Sequence, residues 1–183
     1  MPVYVALLRA VNVGPHNRIK MDVLREICEG AGCRDVKTLI QSGNVVFRIA
    51  DRLSARVGDR LQQAIEEQVG FRPEVIIRSR EELRRAVALN PFTGRADINP
   101  SALLLTFLSG EPDAEAIAKL RSIQSGPEEV IVTGREFYMY FPNGMGRPKL
   151  TTAAVEKALR VKGTGRNWNV VTKLLAIADE LDP

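Results

Sequence analysis

The sequence has few of the residues on which metal and redox chemistry depend. Of its 183 residues, one is a histidine and two are cysteines. A lone histidine, His16, does not supply a multi-histidine site, and the cysteines do not form a Cys-x-x-Cys pair. The acidic residues do not have the spacing of an oxygen-ligand loop. We therefore expect no metal site, and the residues identify no cofactor.

The two cysteines, Cys28 and Cys33, are too few for a disulfide framework and are predicted to be reduced thiols in the cytoplasm. Cys28 falls on the apolar face of a predicted helix, which indicates core packing. Cys33 precedes Arg34, and an adjacent cation favours a thiolate. We prefer a structural thiol at both positions and leave a reactive Cys33 open.

Long apolar runs are also missing from the sequence. None approaches the ~20 residues that a membrane span needs, so we expect no membrane partner. Residues 1–9 lack the basic lead and the small-residue cleavage site of a signal peptide, and their apolar character predicts a first strand instead. With 45% hydrophobic and 26% charged residues, the composition is that of an ordinary globular protein.

The net charge of +4 is unevenly distributed along the chain. Between Arg147 and Lys173 the sequence is strongly basic, and Glu156 is the one acidic residue in that segment. A clustered positive segment attracts a phosphate-bearing partner such as a nucleotide or a nucleic acid. A basic balance by itself more often reflects solubility alone, and both interpretations stay open.

The first half of the sequence has periodicities in β-α-β-β-α-β order, which is the ferredoxin-like unit. The strands and helices are predicted, in chain order, at residues 3–8, 21–29, 35–41, 44–48, 53–69 and 73–77. Ser79 and Glu82 then have the Ser-x-x-Glu spacing of a capping box, which predicts an added helix that stops at Asn90-Pro91.

The second half repeats this order incompletely. Strands are predicted at 102–108, 129–133 and 136–141, and helices after Pro112 and at 149–160. Residues 162–167 lack a strand pattern, and a last helix follows them. We therefore predict an α+β fold of two ferredoxin-like halves, with the second altered and ending in a helix. The predicted domains are 1–92 and 100–183, with a linker at about 93–99.

A candidate phosphate site lies where the repeat breaks. Residues 163–167 lead directly into the last helix, whose first turn offers unpaired N–H groups and a positive dipole end. The glycines permit close approach of a ligand, and Arg166 has the fork of donors that binds phosphate. Thr164, Asn167 and Lys149 complete this candidate group. The alternative is a turn in which Thr164 or Asn167 only caps the helix.

A second candidate group follows the first strand and continues in the predicted hairpin. Arg9 ends an apolar strand, and a cation in that position marks the rim of a sheet or has a partner. The ligand-binding candidates of this group are Arg9, Asn12, Lys20, Gln41, Ser42 and Asn44. Turn chemistry alone also explains Ser42 and Asn44. The sequence does not establish that the two segments lie at one rim.

Four segments resemble the bacterial DUF1697 family, which has no established function. They are Leu-Leu-Arg-Ala-Val-Asn-Val-Gly at 7–14, Gln-Ser-Gly-Asn-Val-Val-Phe at 41–47, Asn-Pro-Phe at 90–92 and Thr-Gly-Arg-Asn-Trp-Asn at 164–169. The resemblance implies a fold of ferredoxin-like halves and no particular activity. The sequence departs from the family pattern at Ala10 and Pro15, where glycines are usual, and at Gly165 and Val170, where threonines are usual.

Three functional hypotheses follow from these patterns. The first, which we favour narrowly, is binding of an anionic ligand, a nucleotide or the phosphates of a nucleic acid. The second is an enzyme of unknown reaction that uses Arg and amide side chains of both candidate groups, and it requires the two groups to converge on one pocket. The third is a structural or protein-interaction module, because a fold alone carries no function. Formation of a homo-oligomer is left open.

Overall fold

The computed structural model describes residues 1–182, and these form two compact units. Unit 1 comprises residues 1–85 and 173–182, and unit 2 comprises residues 86–172. Residues 173–182, which the sequence assigned to the second half, therefore belong to unit 1. The domains predicted from the sequence, 1–92 and 100–183, are stretches of chain that are expected to fold independently. Their limits stay a prediction.

Unit 1 has the predicted β-α-β-β-α-β order, with a short extra helix before its second long one. Its four strands form an antiparallel sheet in the order β2-β3-β1-β4. The elements are β1 (Val3–Leu8), α1 (Met21–Gly30), β2 (Arg34–Leu39), β3 (Asn44–Arg48), α2 (Asp51–Ser54), α3 (Val57–Val69), β4 (Val75–Ser79) and the first residues of α4 (Arg80–Ala88).

The core of unit 1 follows the periodicities of its elements. Leu24, Ile27 and Cys28 of α1 are buried at helical spacing, and Leu61 and Ile65 of α3 are four residues apart on one face. These side chains belong to one buried cluster with alternate residues of the sheet, which include Ala6, Leu8, Val45 and Phe47. One face of the sheet is therefore covered by the two long helices.

Unit 2 repeats the same order of strands and helices. Its sheet is antiparallel with the order β6-β7-β5-β8. After a 3-10 turn at Pro100–Ala102, the elements are β5 (Leu103–Leu108), α5 (Ala114–Ile123), β6 (Glu129–Thr133), β7 (Glu136–Tyr140), α6 (Thr152–Leu159), β8 (Gly163–Asn167) and α7 (Trp168–Leu181), which continues into unit 1. The α+β class predicted from the sequence is confirmed.

The prediction that the second half lacks a closing strand is wrong. Residues 163–167 form β8, which pairs with β5 along its whole length. A side chain at Gly163 would place its Cβ 2.7 Å from Thr106 Cγ2, and one at Gly165 would lie 2.8 Å from Leu104 Cδ2. Glycine is usually depleted in strands, but here it permits this close approach to β5.

Two predicted helix starts have different outcomes. The capping box is confirmed, since the Glu82 N–H donates to Ser79 Oγ at 3.1 Å and the Ser79 N–H donates to Glu82 Oε2 at 2.8 Å. The placement of Pro112 inside a first turn is wrong. Asp113 caps α5 by accepting the Ala116 N–H at 2.7 Å, so the helix begins after both residues. Among the helices of residues 1–182, none is long and apolar enough to cross a membrane.

Candidate functional site

The loop after β1 and the turn between β2 and β3 lie at the same edge of the first sheet. Leu7 pairs with Asn44, and the Leu8 N–H donates to the Gly43 carbonyl at 2.9 Å. Because β1 and β3 are antiparallel, the end of one strand meets the start of the other. The two segments of the N-terminal candidate group, which sequence alone did not place together, are therefore neighbours.

Asn12 holds these two segments together. Its Nδ2 donates to the carbonyl oxygens of Ile19, at 2.9 Å, and Gln41, at 2.8 Å. Its Oδ1 accepts the Ile19 N–H at 2.9 Å, and its own N–H donates to the Asn17 carbonyl at 3.0 Å. The side chain that sequence analysis put forward for ligand binding thus closes the loop on itself and fastens it to the turn.

The backbone at this rim is unusually rich in left-handed conformations. Ala10, Asn12 and Asn17 have φ values of 53°, 57° and 54°, and Ile40 has a φ of 49°. Asparagine tolerates this region because its short side chain bonds locally, whereas a β-branched residue there is an outlier. Backbone strain of this kind concentrates at functional sites. Ile40 is therefore the residue whose conformation most needs a reason.

A cleft of about 620 Å³ opens beside this loop, and we call it the unit-1 cleft. Its lining contains two exposed cations, two carboxamide residues, one acid and two apolar residues. They are Asn12, Arg18, Ile19, Lys20, Met21, Asp22 and Gln41. The cleft therefore contains three residues that the sequence predicted, which are Asn12, Lys20 and Gln41, and it adds Arg18, which sequence reasoning did not select.

The start of α1 forms one wall of the unit-1 cleft. Lys20 precedes the helix in an extended conformation, and an ammonium group has no lone pair with which to accept the first-turn N–H groups. Asp22 lies in that first turn with an exposed side chain, and its Oδ1 is 3.5 Å from Arg25 Nη1. The N–H groups and the positive end of the helix dipole thus lie beside the two cations.

The remaining candidates of unit 1 have local partners. Asn44 is buried, and its Nδ2 donates to the Leu39 carbonyl at 3.1 Å and to Ser42 Oγ at 2.9 Å. These bonds build the hairpin turn, as the turn interpretation of the sequence proposed. Arg9 is half-buried, and its N–H donates to the Glu74 carbonyl at 2.9 Å. A role in ligand binding for these three residues stays a prediction.

The candidates of unit 2 lie on and around β8. Arg166 is 9% exposed, and its Nη1 donates to Thr164 Oγ1 at 2.7 Å and to the Gly165 carbonyl at 2.8 Å. Burial disfavours the charged guanidinium and lowers the Arg166 pKa to about 10. Asn167 caps α7, because its Oδ1 accepts the Val170 N–H at 3.0 Å. The capping alternative is thus the geometry observed for Asn167.

Lys149 lies in the loop between β7 and α6, not on β8. Its N–H donates to Glu128 Oε1 at 3.1 Å, and the Leu150 N–H donates to Glu128 Oε2 at 3.3 Å. Glu128 is buried, and its carboxylate fixes this loop. Sequence reasoning missed Glu128, since an acidic residue in a Gly-Pro-Glu-Glu segment has no signature of this role.

The cysteine thiols are both free and buried. Burial raises the pKa of Cys33 to about 12, and the cation Arg60 opposes this shift only in part. Burial also raises the pKa of Cys28 well above its ordinary range. The preferred structural interpretation therefore fits both residues. Among residues 1–182, no group of three or more His, Cys, Asp or Glu side chains lies close enough to hold a metal ion.

The enzyme hypothesis requires both candidate groups in one pocket. The N-terminal group belongs to unit 1, and Thr164, Arg166 and Asn167 belong to unit 2. Within each unit the groups make local contacts that organise a loop, a turn or a helix start. The enzyme hypothesis therefore stays a prediction, and the unit-1 cleft is the candidate site that the geometry itself defines.

Comparison with known proteins connects this site to a family. The sequence model of DUF1697, a protein family of unknown function, matches residues 1–138. The chain belongs to this family. The matched residues of this DUF1697 protein include the whole lining of the unit-1 cleft, whereas the Thr-Gly-Arg-Asn-Trp-Asn segment at 164–169 lies beyond them.

The fold has a counterpart among solved structures. The conserved bacterial protein SP0830 from Streptococcus pneumoniae superimposes with a TM-score of 0.70 and 19% sequence identity. The alignment covers 97% of this chain and 98% of that chain. At this identity the likeness shows a common fold. No curated protein matches the sequence.

Proposed function

We propose that this DUF1697 protein binds a phosphate-bearing ligand, a nucleotide or a nucleic acid, in the unit-1 cleft. The observation that carries the proposal is the lining of the cleft, where Arg18 and Lys20 are exposed beside the start of α1. Arginine bonds phosphate through two parallel N–H groups, and lysine adds a point charge. The positive charge of these two residues also raises the association rate of any anion with the cleft.

The helix start supports the same ligand chemistry. A phosphate at the beginning of α1 meets backbone N–H groups that lack intrahelical partners, and it lies at the positive end of the helix dipole. Asp22 carries the opposite charge, but it is directed toward Arg25. The cations, the dipole and the backbone donors therefore act together on one side of the cleft.

The loop supports the proposal through its rigidity. Three hydrogen bonds of the Asn12 side chain, all between 2.8 and 2.9 Å, connect it to Ile19 within the loop and to Gln41 of the hairpin turn. A site that is already ordered loses little conformational entropy when a ligand binds. Asn12 is thus a positioning residue, and Arg18 and Lys20 are the contact residues.

The size of the cleft favours a small ligand over a long nucleic acid. About 620 Å³ falls within the range of roughly 300–1,000 Å³ that is typical of small-molecule sites. A mononucleotide fits within such a volume, whereas a nucleic acid engages a longer positive groove. We therefore favour the nucleotide. The cytoplasmic location predicted from the reduced thiols is part of this proposal.

The test is isothermal titration calorimetry at ~50 mM salt, where phosphate contacts are strong. The ligands are adenosine 5′-monophosphate and an eight-residue deoxyadenosine oligonucleotide. The test variant is Arg18→Ala/Lys20→Ala. The matched control is Lys119→Ala/Arg121→Ala, which removes two exposed cations with the same spacing from α5.

The expected result is one nucleotide per chain in the wild type and the control, with at least ~tenfold weaker binding in the test variant. Binding of the oligonucleotide without the nucleotide would assign the site to nucleic acid. Equal losses in both double variants, or the absence of binding to either ligand, would overturn the proposal.

A further inference from the structure

Two large apolar side chains are exposed on residues adjacent in sequence to the lining of the unit-1 cleft, although neither residue is itself part of that lining. Val13 is 71% exposed and Ile40 is 55% exposed. Val13 follows Asn12 in the loop, and Ile40 precedes Gln41 in the turn. Asn12 Nδ2 donates to the Gln41 carbonyl at 2.8 Å, so this bond joins the backbone segments that carry the two apolar residues.

The conformation of Ile40 makes its exposure harder to explain by folding alone. A φ of 49° places this β-branched residue in the left-handed region, where its branched Cβ crowds the backbone. Asparagine or glycine adopts this conformation at lower free energy. An exposed isoleucine also contributes little burial in return. The unusual φ of Ile40 therefore points to a contact that its side chain makes.

We infer that Val13 and Ile40 form an apolar edge of the unit-1 cleft that contacts a non-polar group of the ligand. The ligand is then an organic phosphate, whose phosphate meets Arg18 and Lys20 and whose non-polar group covers Val13 and Ile40. This inference rests on the proposed function and narrows the class of ligand. Inorganic phosphate and pyrophosphate lack the second part and bind more weakly.

The surroundings favour a bound ligand over a protein partner. Ile19 and Met21 add apolar groups to the cleft lining. The exposed surface of two side chains is far smaller than the ~800 Å² that each partner buries in a standard protein–protein interface. The Asn12 bond also connects the backbone segments that carry the apolar edge, since Asn12 and Gln41 line the cleft and are next to Val13 and Ile40 in sequence.

The experiment compares phenyl phosphate with inorganic phosphate by calorimetry at pH 8, where both are mainly dianions. The variants are Ile40→Asn, which suits the left-handed conformation, and Val13→Ser. The matched control is Met145→Ser, which removes an exposed apolar side chain from a loop of unit 2. The wild type and the control are expected to bind phenyl phosphate about tenfold more tightly than inorganic phosphate.

Ile40→Asn is expected to bring the ratio of the two affinities close to one and to leave binding of inorganic phosphate unchanged. Its melting temperature is expected to equal or exceed that of the wild type, because strain is relieved. A wild-type ratio near one, with binding that still depends on Arg18 and Lys20, would overturn the inference and leave the proposed function standing. If the wild type binds neither phenyl phosphate nor inorganic phosphate, both the inference and the proposed function are overturned.

Sedimentation velocity of the wild type and Ile40→Asn provides the remaining outcome. A monomer in both cases is the expected result. A wild-type dimer that Ile40→Asn dissociates would show that Ile40 covers an interface between two copies of this chain, and that result would overturn the inference.

Discussion

Arg78 and Arg166 occupy equivalent positions in the two sheets. Arg78 pairs with Val5 in the β1–β4 ladder, and Arg166 pairs with Leu105 in the β5–β8 ladder. Each arginine is the fourth residue of its strand, and each is buried, with 2% and 9% exposure. The residue after each arginine caps a helix, since Ser79 caps α4 and Asn167 caps α7. The two units thus repeat a detail of side-chain chemistry as well as the order of their elements.

The buried guanidinium of Arg166 is expected to stabilise unit 2. Arg166→Met removes the donors to Thr164 Oγ1 and the Gly165 carbonyl, and buried groups that lose a partner cost about 1–3 kcal/mol each. Urea unfolding should show a loss in that range. Arg121→Met, at an exposed position of α5, should change stability by no more than about 0.5 kcal/mol. Equal losses would show that Arg166 contributes no more than a surface residue.

The close approach of β8 to β5 predicts an asymmetry between two glycines. In Gly163→Ala the new Cβ would lie 2.7 Å from Thr106 Cγ2 and 2.9 Å from the Phe107 carbonyl oxygen, so the strands must separate. Overpacking of this kind costs about 1–3 kcal/mol. Gly146→Ala, which has no atom within 4 Å of its Cβ among the described residues, is the control and should be neutral or stabilising. A neutral Gly163→Ala would argue against the β8 pairing.

Asn12 is expected to matter for stability as well as for binding. Asn12→Ala removes three side-chain hydrogen bonds and leaves a residue that disfavours a φ of 57°. The free energy of unfolding should fall by about 1–3 kcal/mol. Asn143→Ala, in an exposed loop of unit 2, is the control and should have little effect. If the two variants unfold alike in urea, the loop is not held by Asn12.

The buried Cys33 thiol predicts how stability depends on alkaline pH. Its pKa is raised in the folded chain to about 12 from an ordinary value near 9.0, so the unfolded chain loses this proton first. The contribution to stability is complete below pH 9 and is lost as the pH rises from 9 toward 12. Denaturant unfolding at pH 7 and pH 10 should show a larger drop for the wild type than for Cys33→Ala. An identical pH dependence would mean that Cys33 is not the responsible group.

The sequence predicted those parts of the fold that depend on local patterns. Hydrophobic period gave the long helices and most strands, and the Ser79–Glu82 spacing identified a capping box. The prediction from sequence failed at β8. Glycines at 163 and 165 disfavour a strand locally, and they are required only by the neighbouring side chains of β5. Such a requirement comes from tertiary structure and has no local signature.

The candidate site was predictable only in part for the same reason. Asn12, Lys20 and Gln41 were selected by residue type, and they do line one cleft. Asn12 can hold the loop to the turn only because β1 and β3 are antiparallel neighbours, and no single segment of the sequence reveals this pairing. Arg78 was not singled out because the predicted strand ended at residue 77, and its correspondence to Arg166 depends on β8, which the sequence did not predict.

The location of the bound phosphate tests the account most directly. Amide chemical shifts of the ¹⁵N-labelled chain should be followed while adenosine 5′-monophosphate is added at ~50 mM salt. We expect the largest shifts at Asn12, Gln41 and residues 20–23 at the start of α1, and we expect Arg18→Ala/Lys20→Ala to abolish them. Shifts centred instead on residues 163–168, or their absence throughout the chain, would contradict the assignment of the unit-1 cleft as the binding site.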